Sequence, residues 1–115
     1  MILPNVGKAF IPIEKLEKYA LNPFNDPNKA IAFESALGYT KDNAQALADN
    51  ISANLGKFQA VSKGDKGFGQ QYQVVLNITG ANGKAANVLT GWIIDSKTNA
   101  PRLTTLHVTR KKVGQ

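Results

Sequence analysis

The 115-residue chain contains no cysteine and only one histidine. Without thiols there is no disulfide framework, no thiolate nucleophile and no zinc–thiolate centre, and a lone His107 cannot build a multi-histidine metal cluster. Long apolar runs are also missing, since no stretch approaches the roughly 18 residues that cross a bilayer. The opening "MILPNVGKAF" places Pro4 and Lys8 where a secretion signal needs uninterrupted apolar residues. The chain therefore reads as cytoplasmic, with no membrane partner. In the second half the scarce class is the carboxylate. Residues 58–115 hold eight cations against Asp65 and Asp95 alone, whereas residues 1–57 balance six lysines with six acids. The whole net charge of +6 thus sits in the C-terminal half. Solvated surfaces usually intersperse their signs, so the excess points that half at a polyanion. The plainer reading is a basic domain with a frayed "RKK" tail.

Apolar residues make up 43% of the chain, enough for one core, and no linker or internal repeat divides it. A single domain over 1–115 is expected, helical over 1–57 and β over 58–112. In "IPIEKLEKYALNP", Pro12 suits a first helical turn and Ile13, Leu16 and Tyr19–Ala20 recur at helical spacing before Asn22-Pro23 ends the run. In "NDPNKAIAFESALG", Asp26 is an N-cap, Pro27 the first helical residue and Gly38 the left-handed stop. The third helix, "TKDNAQALADNISANLG", is capped by Thr40, and its stripe runs Ala44, Leu47, Ala48, Ile51 and Leu55.

Period-two patterning then takes over. "FQAVSK", "QQYQVVLNITG", "NVLTGWIID" and "RLTTLHVTR" read as strands, separated by the glycine-rich "KGDKGFG", the turn "ANG" and the loop "SKTNAP". The expected fold is α+β: three N-terminal helices packed on one face of a four-stranded antiparallel meander. Trp92 shares a strand face with Val88 and Thr90 and reads as a core anchor. Strict alternation along the last strand sends Thr104, Leu106 and Val108 inward, and Leu103, Thr105, His107 and Thr109 outward.

An imidazole on a solvated basic sheet titrates near neutrality and can move protons. Arg102 begins the same strand, Lys84 lies in an adjoining turn, and Arg110 follows the strand. Metal-independent RNA cleavage needs little more. One group takes the 2′-hydroxyl proton, cations hold the phosphate, and hydroxyls orient the substrate. Paired-carboxylate and two-metal mechanisms have no residues to draw on, because the basic half holds only Asp65 and Asp95. "GDKGFGQ" lacks the GK[ST] ending of a phosphate-cradling loop. Its Phe68 could stack on a base or close an edge of the core.

The segments "LPNVGKAFIPIEKLEKYALNP", "NKAIAFESALGYT", "ITGANGK", "TGWII" and "PRLTTLHV" resemble a family of small bacterial domains described only as a domain of unknown function. That family occurs as short proteins, notably in cyanobacteria, and as the C-terminal piece of polymorphic toxins. The layout is also similar to the barnase–EndoU–colicin–RelE group of metal-independent ribonucleases, by architecture alone. The resemblance implies a toxin-type endoribonuclease without cofactor or metal, acting on RNA and paired with a small acidic antitoxin or immunity protein. Carried over, the family's recurring polar positions fall on Lys29, Thr90, Arg102 and Thr105, and a position more often tyrosine falls on His107. Gly91, where the family has a small apolar residue, is expected to matter little. The assignment is then His107, Arg102, Thr105 and Lys29 as catalytic residues, with Lys84, Thr90 and Arg110 binding substrate. The competing reading is a non-catalytic basic module that docks nucleic acid or an acidic protein.

Overall fold

Helix signals and strand alternation meet along a single seam in the computed structural model, which describes residues 1–115. Two α-helices, α1 (Pro27–Leu37) and α2 (Ala44–Asn54), precede four strands: β1 (Ala60–Asp65), β2 (Gln70–Thr79), β3 (Ala85–Ile94) and β4 (Pro101–Val108). The strands pair antiparallel in chain order, forming the expected meander. The fold is α+β.

The caps behave as their residue types dictate. Asp26 accepts the Lys29 backbone N–H at 3.1 Å, Pro27 fills the first turn, and Gly38 closes α1 at φ 75°. Thr40 and Asn43 form a reciprocal box ahead of α2, across a short 3₁₀ turn. The first expected helix is different in kind. Lys15–Ala20 is a π-helix, closed by a Leu21 N–H that reaches back five residues to Leu16 O at 2.8 Å. The wider turn still buries Leu16 and Ala20 while leaving Lys15 and Tyr19 towards solvent.

One core joins helices to sheet. Leu16, Phe33, Leu37, Leu47 and Ile51 pack with Val74, Leu76, Val88, Trp92, Leu103 and Leu106. Trp92 is buried, as its face predicted, and its indole N–H donates to Thr90 Oγ1 at 2.8 Å. Thr90 in turn donates to Val74 O at 2.8 Å, so its hydroxyl is spent inside the core.

Strict alternation fails on β4. Leu103 and Leu106 are 0% and 1% exposed, although they lie three residues apart and period two would set them on opposite faces. The register explains it. Gly91 pairs with Thr105 and Trp92 with Leu103, which leaves Thr104 as an extra residue in a β-bulge. The bulge resets the phase, so Leu103 turns into the core and Thr104 out of it, the reverse of the expectation for both. Gly91 makes room for this. A Cβ there would stand 2.8 Å from Thr105 Cγ2 and 3.3 Å from Thr104 Oγ1. The position expected to matter little is the one that seats the bulge.

The sheet's outer face is not bare. Past β4 the chain returns over it: Thr109 N–H donates to Asn87 O, Asn87 Nδ2 to Lys111 O, and Gln73 Nε2 to Gln115 O, at 2.9–3.0 Å. Val75 and Leu89, which lie outside the helix-side core, are buried there. The "RKK" segment is thus tied down, with its side chains exposed.

Thr90→Val keeps the volume but strands a buried indole N–H. Chemical denaturation should show a loss of about 1–3 kcal/mol, the cost of an unsatisfied buried donor. The folded variant should retain whatever ligand affinity the wild type has.

Candidate functional site

The π-helix, the start of α1 and the bulge of β4 enclose a cavity of about 190 Å³. Its walls are Lys15, Tyr19, Ala20, Asn25, Lys29, Thr104, Thr105 and Leu106. Two lysines, an amide, a phenol and two threonines converge there, and no carboxylate lines it. Each is placed by a local rule. The π turn stacks Lys15 over Tyr19, with Nζ 5.6 Å from the ring centroid. Asn25 sits in the turn between helices and donates to Tyr19 O at 3.4 Å. Lys29 is presented from the first turn of α1, held by the Asp26 cap. The bulge supplies both threonines at once, where a regular strand would have offered one.

His107 lies one alternate position beyond Thr105 on the outer face, paired across to Leu89, and is partly buried. Its pKa is lowered from the usual imidazole value, first by burial and then by the positive charges of Lys29 and Lys111. The ring is therefore mostly neutral at physiological pH and fits a proton acceptor better than a resting acid. His107 is two residues along β4 from Thr105 of the cavity wall and is not itself part of that wall.

Of the expected site residues, Lys29 and Thr105 share the cavity and His107 adjoins it. The others lie elsewhere. Arg102 borders a separate groove with Phe68, Ile93, Asp95, Ser96 and Lys97. Lys84 is exposed in the β2–β3 turn, its backbone N–H donating to Asn82 Oδ1 at 3.0 Å. Arg110 is exposed on the returning segment. Thr90, buried and doubly hydrogen-bonded, has no surface to offer a substrate. Lys15, Tyr19, Asn25 and Thr104 were missed. Lys15 and Tyr19 did carry a signal, a cation and an aromatic four apart on one helical face.

Both acids of the basic half are used locally. Asp65 Oδ1 accepts the Gly67 and Gly69 N–H groups at 2.8 and 3.3 Å. Asp95 Oδ1 accepts the Lys97 and Thr98 backbone N–H groups at 2.7 and 3.3 Å, and these hydrogen bonds hold its pKa below the usual carboxylate range. No group of three or more His, Cys, Asp or Glu residues is placed to hold a metal. No helix is long and apolar enough to cross a membrane.

A family model described as "Domain of unknown function (DUF6883)" matches residues 2–110. The chain belongs to that family. The matched span takes in every cavity residue and His107, and it ends just before Lys111, the second lysine whose charge acts on the imidazole. No curated protein and no solved structure matches the chain.

Lys29→Gln removes one of the charges that disfavour the imidazolium, so the His107 pKa should rise, as read by NMR titration. The linkage has a definite sign. A histidine whose folded pKa is depressed leaves the protein fully stable above the unfolded value near 6.5 and costs stability as pH falls towards the folded value. His107→Gln should flatten that acid-side loss, and Lys29→Gln should reduce it. Gly91→Ala forces Thr105 to move, so amide shifts should change at Thr104 and Thr105, with stability falling by about 1–3 kcal/mol.

Proposed function

We propose that the protein is a metal-independent endoribonuclease of the toxin type, working at the cavity between the π-helix, α1 and the β4 bulge. One observation carries this reading: a carboxylate-free cluster of lysines and hydroxyls beside a histidine whose imidazole is kept neutral. In the proposed chemistry the RNA 2′-oxygen attacks the adjacent phosphorus and the bond from phosphorus to the 5′-oxygen breaks. The products are a 2′,3′-cyclic phosphate and a free 5′-hydroxyl. His107 takes the 2′-hydroxyl proton, and the Tyr19 hydroxyl gives one to the departing oxygen. Lys15 and Lys29 hold the phosphate charge as it grows, and Thr104 and Thr105 orient its oxygens. A depressed imidazole pKa supports a base that stays active below the usual histidine range. The charge of +6, confined to residues 58–115, supports a polyanionic substrate and, for a toxin, a small acidic antitoxin or immunity protein as its antagonist.

A second reading, binding without turnover, is favoured by the His107 ring lying outside the cavity wall and by the placement of Arg102 in another groove. Incubation with RNA in EDTA separates the two. The expected result is cleavage yielding cyclic-phosphate ends, reduced about 10²–10⁴-fold by His107→Gln. Lys29→Ala should reduce it as well. A folded protein that binds RNA in a salt-sensitive way and leaves it intact would establish the second reading instead.

A further inference from the structure

The groove that received Arg102 is larger than the lysine cavity, about 370 Å³, and lies further along the same strand. Its border carries Phe68, which is 83% exposed at the tip of the β1–β2 hairpin. An aromatic ring left in water forgoes burial worth about 1.5–3 kcal/mol, which a stacking partner can recover. The loop that carries it is not slack. Asp65 Oδ1 ties the Gly67 and Gly69 N–H groups, and Gly69, at φ 127°, lies so close to β3 that a Cβ would stand 2.7 Å from Ile94 O. The hairpin tip is clamped against the end of β3 while its ring is held outward. Lys97 and Arg102 line the same groove, and the one acid there, Asp95, accepts two backbone N–H groups of its own turn and offsets part of the two cations' charge.

The geometry points to a base-stacking subsite: Phe68 receives a nucleobase of single-stranded RNA while Arg102 and Lys97 hold the adjoining phosphate. It deepens the ribonuclease reading by defining a second contact for the same strand. Arg102 pairs with Ile93, and Thr105 with Gly91, on the outer face of the sheet. Their partners are two residues apart on β3, because the bulge takes up Thr104, so the two lie roughly 7 Å apart along the ladder at the rise of a strand. A strand stacked on Phe68 thus runs along β4 past the bulge, with a neighbouring phosphate at Lys15 and Lys29. Stacking on an aromatic face tolerates any base, while a duplex keeps its bases covered, so the subsite selects unpaired RNA.

Binding can be tested without cleavage by using a 2′-O-methyl oligonucleotide, which lacks the nucleophile, and an abasic oligonucleotide of the same length. Loss of one stacked base weakens single-strand binding by roughly five- to a hundred-fold. Phe68→Ala should weaken the 2′-O-methyl oligonucleotide by that much and leave the abasic one unchanged. Phe68→Trp should retain affinity, and its fluorescence should be quenched by the first ligand and not the second, against the buried Trp92 background. Arg102→Gln should weaken both ligands. Equal affinities for wild type and Phe68→Ala, or an equal loss for both oligonucleotides, would overturn the subsite. The two proposals fail separately. Base-dependent quenching in a protein that leaves RNA intact removes the nuclease and keeps the subsite. RNA cleavage with unaltered KM and product pattern in Phe68→Ala removes the subsite and keeps the nuclease.

Discussion

The β-bulge at Thr104 is the constraint on which the arrangement turns. Sheet and helices share one core, and β4 must contribute both Leu103 and Leu106 to it. A regular strand cannot place both inward, because its faces alternate with period two. One extra residue solves the problem and has a second effect. It sets two threonines side by side at the strand's outer edge, next to Lys29 of α1 and Lys15 of the π-helix. Packing and polar display are therefore products of the same irregularity. Gly91 is its counterpart across the ladder, the one place where a missing side chain lets the bulge sit close.

The π-helix is a second irregularity of the same kind. Its extra residue per turn keeps Leu16 and Ala20 buried while Lys15 and Tyr19 face the cavity. Irregular backbone on both sides of a polar pocket is common where a site has to be aimed as well as supported. The rest of the scaffold is conventional: capped α-helices, a meander in chain order, and a buried Trp92–Thr90–Val74 hydrogen-bond chain holding the sheet's centre.

Most of the frame was legible in the sequence. Asp26, Gly38 and the Thr40 box mark helix ends because short polar side chains and glycine meet the needs of unpaired backbone groups. The alternation of Tyr72, Val74, Leu76 and Ile78 shows which face of β2 is buried. The site was legible only in part. Lys29 and Thr105 do share a cavity, and His107 does lie on the outer face. The placements of Leu103 and Thr104 were not readable, since nothing in "RLTTLHV" distinguishes a bulged strand from a regular one until its partner register is known. Thr90 shows the opposite difficulty. A threonine beside a tryptophan looks available for substrate, and only the fold reveals that its hydroxyl is the tryptophan's partner. The pairing of Lys15 with Tyr19 is local and visible in their spacing, but that it faces the β4 threonines depends on how the π-helix packs on the sheet.

Asp65 and Asp95 are the only negative side chains in the β half, and both are committed to turning the chain. Asp95 offsets part of the charge of Lys97 and Arg102, but two acids against eight cations leave most of this half's positive charge uncompensated within it. Two copies meeting face to face would repel, which disfavours stacking through this surface and keeps it free for something of opposite sign. Neutrality, for this half of the molecule, has to be supplied from outside.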